Sequence, residues 1–227
     1  MHKISEPEIL YFGTPVVLIG TCNEDGSYNI APISSIFWLG WRCIIGISAL
    51  SKTTQNILRN RSCTLNLPSV NEVSAVNRLA LTTGSNPVPN GKKLRGYRYV
   101  KSKFELANLK PVVSDTITAP RIAECPVQME AILQAAHPIA EDDEAQNGKI
   151  LTMEFRIQRV YLEESILING SSKRVDPDKW KPLIMSFQKF YGLGGQVHPS
   201  NLSKIPEILY HSPDMDKARK EFETMAV

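Results

Sequence analysis

The residues best suited to chemistry lie in one short stretch, residues 48–57, which reads Ser-Ala-Leu-Ser-Lys-Thr-Thr-Gln-Asn-Ile. Ser48, Ser51 and Thr53 bring hydroxyls, and Lys52 an ammonium, to the point where a helix would begin; Asn56 follows one turn later. First-turn amides of a helix have no carbonyl to pair with, and the helix dipole favours negative charge there. A strand delivering hydroxyls and a lysine to such a place suits a small anionic ligand, above all a phosphate. The same residues also suit a plainer arrangement, in which Ser51 is an N-cap and Lys52 a surface charge.

Other kinds of site chemistry are missing. The histidines, His2, His137, His198 and His211, do not fall at metal-ligand spacing, and there is no HExxH or GxSxG. Residues 84–93, Gly-Ser-Asn-Pro-Val-Pro-Asn-Gly-Lys-Lys, resemble a P-loop only superficially: the spacing is too long and Lys93 stands where Ser or Thr must follow. With no acid, base or nucleophile standing out, the pattern favours a bound cofactor that carries the chemistry while the protein supplies position and electrostatics. Lys92, Lys93, Arg95, Arg98, Lys101 and Lys103 accumulate with no acid between them. That run reads either as a solvated face or as a surface for an anionic co-substrate, on a loop able to close as a lid.

The elements that must hold these residues are mostly strands. Residues 16–22 form a β-branched apolar run, Asp25-Gly26 marks a tight turn, and residues 28–33 return as a second strand. Residues 36–41 and 43–48 read as the third and fourth, turning at Gly40. Ser51 caps a helix to about Asn60 with Ile57 and Leu58 facing inward, and residues 62–67 are again a strand. Ser69 and Glu72 make a capping box before a helix carrying Val73, Val76 and Leu79. Residues 125–133 and 150–162 are strands flanking an acidic turn at 141–144. Asp176-Pro177 predicts a helix start, with Trp180, Leu183, Ile184, Phe187 and Tyr191 as its buried stripe; Ser212-Pro213 predicts a last helix to about Met225. This is a mainly β chain with α additions, closer to a barrel than to a βαβ repeat.

Composition narrows the class further. A chain of 227 residues, 42% hydrophobic, can fill a core without metals or disulfides. A net charge of +3 argues against nucleic acid as partner, and no apolar run has membrane-spanning length. Cys22, Cys43, Cys63 and Cys125 stand singly, which suits free thiols in a reducing compartment; with no secretory signal, the expected location is cytoplasmic.

Laid end to end, residues 15–21, 26–34, 44–48, 52–57 and 63–67 resemble, in order and spacing, the flavin reductase-like FMN-binding family, related to pyridoxamine phosphate oxidase-like flavoproteins. Residues 105–109, 120–127 and 150–162 resemble its second half. The resemblance implies an FMN-binding split β-barrel over residues 8–170 with peripheral helices. Residues 171–227 are then a helical C-terminal extension packed on the barrel or on a dimer partner. It implies that Asn29, Ala31, Pro32, Ser34 and Ser35 lie along the isoalloxazine and ribityl chain. Ser48, Ser51, Lys52 and Thr53 then cradle the phosphate, with Asn56 beside them. The implied activity is that of an NAD(P)H-dependent oxidoreductase passing hydride through FMN, with FAD the alternative flavin. The implied assembly is a homodimer with flavin at the subunit interface. A flavin-binding electron carrier or store without turnover fits the same residues. Trp38 and Trp41 occupy a turn that is often Pro-rich in that family, and are expected in the core or at a dimer contact.

Overall fold

A computed structural model describes residues 1–225. Seven strands carry the fold: β1 (Val17–Cys22), β2 (Tyr28–Ile33), β3 (Ile36–Leu39), β4 (Arg42–Ser48), β5 (Ser62–Leu67), β6 (Val127–Pro138) and β7 (Ile150–Leu162). They make one antiparallel sheet in the order β2-β1-β5-β6-β7-β4-β3. The strands at the two ends of that order, β2 and β3, are joined by only Ser34 and Ser35. A two-residue link spans less than about 10 Å, so the sheet must curl until its ends nearly meet. Ser35 ties the seam: its hydroxyl donates to the Gly46 carbonyl at 2.6 Å, and the Gly46 N–H donates to the Ser35 carbonyl at 2.9 Å.

β1 is apolar on both faces because both are covered. Val17 and Ile19 point into the barrel with Ile45, Leu65, Met153 and Phe155, all buried. Val16 and Leu18 point outward, beneath helix α2 (Val73–Leu79) and the short helical turn Lys103–Ala107. The sheet is thus core on one side of β1 and platform for the site on the other.

Between β4 and β5 lies α1 (Lys52–Asn60). Ser51 caps it through its Oγ, which accepts the Thr54 N–H at 3.0 Å, and Arg61 closes it in the left-handed region at φ 58°. Such a cap contributes about 1 kcal/mol. Ile57 is fully buried as the sequence predicts, but Leu58 is 41% exposed. One residue along a helix turns a side chain by about 100°, so both cannot face the same core.

The helix expected from Asp176 does not form. Only one turn closes there, with the Lys179 and Trp180 N–H groups on the Asp176 carbonyl. Pro182 follows, without an N–H to continue the ladder. The chain then makes a hairpin, Ile184–Ser186 with Lys189–Tyr191, turning through Phe187 (φ 45°) and Gln188 (φ 63°). Ile184–Ser186 also pairs with Thr14–Pro15, which places the hairpin beside the platform. The last helix, α3 (Pro213–Met225), does form. It lies against β4 and β7 through Arg42–Asp214 at 2.8 Å and Arg156–Glu221 at 2.9 Å, burying Ala218. Arg42 holds the Asp214 carboxyl below the usual carboxylate range.

Cys43, Cys63 and Cys125 are free and buried, and Cys22 is free and half-buried. Burial pushes the Cys43 thiol up to about 12. Trp38 and Trp41 pack, partly buried, against the barrel core. No described helix is long and apolar enough to cross a membrane, and no metal-binding cluster of His, Cys, Asp and Glu occurs among the described residues.

Candidate functional site

A cavity of about 680 Å³ opens where the barrel seam, the start of α1 and the end of α2 come together. Ala31, Pro32, Ser34 and Ser35 form the wall from β2 and the seam, and Ser48, Ser51, Lys52 and Thr53 the wall from the start of α1. Eight of the ten residues singled out in the sequence therefore meet around one space. Val76, Leu79, Met185 and Phe190 add apolar surface. The hairpin contributes two of these, so the chain past residue 170 supplies part of the wall.

Asn29 and Asn56 are placed differently. Both lie almost wholly inside the protein, Asn29 2% exposed and Asn56 0%, and neither lines this cavity. Asn56 Nδ2 donates to Thr21 Oγ1 at 3.0 Å and to Asn23 Oδ1 at 2.8 Å, fastening α1 to β1 and the turn beyond it. Asn29 Nδ2 donates to Thr21 Oγ1 at 3.2 Å and to Thr53 Oγ1 at 3.3 Å. These two asparagines hold the helix start in place from behind.

The hydroxyls also divide in role. Thr54 Oγ1 donates to the Ser48 carbonyl at 2.7 Å, so the 2.8 Å contact between Ser51 and Thr54 has Ser51 as donor. Ser51 Oγ also accepts the Thr54 N–H, which commits both its functions to building the helix start. Thr53 Oγ1 only accepts, from Asn29, and keeps its proton for another partner. The Gln55 N–H reaches the Ser51 carbonyl at 3.1 Å. By helix geometry the amides left without an intrahelical partner are then those of Lys52 and Thr53, both at the cavity. Lys52 Nζ meets Glu24 at 2.6 Å, and Glu24 also meets Arg59 at 2.6 Å; Glu24 is 61% exposed and is an exchangeable partner.

Two lysines of the basic run reach the same cavity. Lys92 Nζ donates to Thr83 Oγ1 at 3.3 Å, and Lys103 Nζ to the Ile30 carbonyl at 3.0 Å. Lys93, Arg95, Arg98 and Lys101 stay exposed, so the run is part solvated face and part site lining. Sequence reading could not separate the two, because what buries Lys103 (2% exposed) is its docking beneath β2, far away in the chain. Burial, helped by the charge of Lys92, pulls Lys103 down to about 7. Burial, with Arg95 nearby, also lowers Lys92. No carboxylate or histidine lines the cavity: it offers N–H and O–H donors, ammonium groups and apolar surface.

The Lys103 shift has a sign that stability must follow. Below about pH 7 the amine is protonated in both states, and its burial cost is fully present. Between about 7 and the ordinary 10.5 only the unfolded chain binds the proton, so folding stability rises with pH. The wild type should gain up to about 1.4 kcal/mol per pH unit over that window relative to Lys103→Met. Urea unfolding at intervals from pH 7 to 9 measures this; parallel profiles for the two proteins would contradict it.

The flavin reductase like domain family model matches residues 9–190. A protein of Bacillus subtilis (strain 168), YdfE, is 36% identical over 195 residues, covering 86% of this chain and 91% of its own. Among solved structures, flavoredoxin of Desulfovibrio vulgaris (Miyazaki F) superposes with a TM-score of 0.71 at 20% identity, covering 90% of this chain and 100% of its own. A protein of Shewanella frigidimarina NCIMB 400 described as having a split barrel domain superposes at 0.63 and 18% identity, covering 83% and 86%. At such identities the structural matches speak for the fold, and they agree that the curled sheet is a split barrel.

Proposed function

The chain belongs to the flavin reductase-like family, and from that premise we propose that it is a flavin-dependent oxidoreductase holding FMN in the cavity at the start of α1. The observation that carries this reading is the pair of free amides at Lys52 and Thr53, opening beside the Lys52 ammonium onto an apolar-walled cavity of about 680 Å³. Those donors fit a phosphate, and the wall of Ala31, Pro32, Val76 and Phe190 fits the face of a flat ring. When bound, the flavin supplies hydride acceptance and release.

The protein's part is positional. Thr53 O–H and the two amides fix one end of the ligand, and Lys52 exchanges Glu24 for it. Ser34 and Ser35 offer hydroxyls along the seam, and the apolar wall limits water at the ring. Lys92 and Lys103 supply positive charge to an electron-rich ligand, and Lys103 is poised to take up a proton near neutral pH. NADH or NADPH is the donor in this reading. A homodimer with flavin near the subunit contact belongs to the same proposal; Phe37 and Leu39, 52% and 68% exposed on edge strand β3, favour it as apolar surface awaiting a partner.

Anaerobic addition of NADH or NADPH to the flavin-loaded protein tests the activity. Bleaching of the visible flavin band, followed by steady nucleotide consumption once an acceptor is supplied, is the expected result. A band that stays oxidised with both nucleotides would overturn reductase activity and leave an electron carrier or flavin store.

A further inference from the structure

Past the hairpin the chain changes character. Residues 193–211 are exposed throughout, and their backbone hydrogen bonds run only within the segment. Among the described residues a single ion pair, Arg174–Glu207 at 2.8 Å, ties this stretch to the chain before it. It is nevertheless rich in apolar side chains: Val197, Leu202, Ile208, Leu209 and Tyr210 are 61–98% exposed. Apolar surface gathered in one exposed stretch marks a contact with another molecule.

This tether ends in α3, whose seat on the barrel is made of charge more than of apolar burial. Ala218 is the one described residue of α3 that is fully buried. The rest of the grip is Arg42–Asp214, Arg156–Glu221 and the Phe222 ring, whose centroid lies 3.6 Å from Arg159 Cζ. Around this seat Arg156 Nη1, Arg159 Nε and Nη2, and Ser212 Oγ are buried without a hydrogen-bond partner among the described residues. Each unmet group is costly, so the seat asks for more acceptors than α3 alone brings. Phe37 and Leu39 stand exposed beside it on β3, where Leu39 pairs with the Arg42 that holds Asp214.

We propose that this C-terminal extension is exchanged between two copies of the chain. The α3 of each copy seats on the barrel of the other, and residues 193–212 cross between them. The inference rests on the homodimer of the reading above and names the part that holds it together. Complementarity identifies the occupant: the arginines of the seat match Asp214 and Glu221, and a second copy carries an identical helix. Exchange therefore keeps every contact of the seat, while the crossing tethers gain cover for their apolar side chains and for Phe37 and Leu39. A segment of this length spans up to ~60 Å, enough to reach a neighbouring barrel.

The test is sedimentation equilibrium of the full chain as wild type, Arg156→Glu, Glu221→Arg, and the tether variant Ile208→Asp with Leu209→Asp. Thermal melting confirms that each folds; the tether variant changes exposed side chains only, and decides the matter if a charge reversal does not fold. Wild type should be a dimer in the micromolar range, and each variant should raise the dimer Kd at least about tenfold. An equimolar mixture of the two charge reversals should recover the wild-type Kd. In that mixture the unchanged helix of one chain meets the unchanged barrel of the other, and the two reversed side chains meet each other. Association lost in the single variants and not recovered on mixing would overturn exchange, because the seat is then filled within one chain. A dimer unmoved by every folded variant would also overturn it and place the subunit contact elsewhere. A monomeric wild type would overturn both the exchange and the homodimer, leaving the flavin site to its own test.

Discussion

Replacing Lys52 and Thr53 together by alanine should weaken flavin binding by at least about 100-fold. Lys52 brings the ammonium nearest the free amides of α1, and Thr53 the hydroxyl whose proton is uncommitted. A hydrogen bond to a charged group contributes roughly 1.5–3 kcal/mol, so losing two exceeds the ~2.8 kcal/mol that a 100-fold change requires. The fold should survive. The pair lost with Lys52 is to Glu24, 61% exposed, and exposed pairs contribute about 0–1 kcal/mol. Alanine is also well tolerated at a helix start whose cap, Ser51, is left untouched. Fluorescence titration with FMN reads the effect, and an affinity unchanged in a folded double variant would remove the phosphate site from α1.

Glu130→Ala should cost about 3–5 kcal/mol of stability, the largest expected loss from a single side chain outside the apolar core. Glu130 is fully buried on β6, and its carboxylate gathers the segment before Arg121. It accepts the Asp115 and Thr116 N–H groups at 2.8 Å each, the Thr116 hydroxyl, and the Tyr161 hydroxyl at 2.8 Å, with Arg121 at 3.7 Å. Burial, with the hydrogen bonds to Asp115 and Glu130, pushes the Tyr161 phenol well up, so it remains a donor. Truncation would strand the Asp115 and Thr116 amides and the Thr116 hydroxyl facing a void and take the nearest carboxylate from Arg121, while Tyr161 would keep its bond to Asp115. Glu130→Gln keeps one oxygen but turns an NH2 toward groups that are themselves donors, and should recover only part of the loss. Urea unfolding at constant slope measures both, and a loss under ~1 kcal/mol for Glu130→Ala would contradict this account.

What the sequence revealed and what it hid follow from the range of the interactions involved. The capped start of α1 is local chemistry: Ser51 reaches an amide three residues on, so its spacing is visible in the chain. The strands around it are legible because β1 is an unbroken apolar run and Asp25-Gly26 fits a tight turn, with Gly26 at φ 78°. Apolar spacing misled at 180–191, where a helical period coincided with a hairpin, and Pro182 was the signal against a helix. Leu58 was misplaced because adjacent helix residues point about 100° apart. Lys103 and Glu130 were hidden for a different reason. Their roles come from partners at Ile30, and at Asp115, Thr116 and Tyr161, that only the folded chain brings near. Asn29 and Asn56, which the resemblance implies at the ligand, stand outside the lining of the cavity, and only their folded-state bonds to Thr53 and Thr21 show that they brace the start of α1.

The most direct test of the central claim is a visible absorption spectrum of the purified protein, recorded after soaking with FMN and desalting. A retained flavin band is the predicted result, since the free amides at Lys52 and Thr53 and the apolar wall beside them make a preformed site. A colourless protein would contradict it, and would leave the start of α1 an ordinary capped helix beside an unassigned cavity.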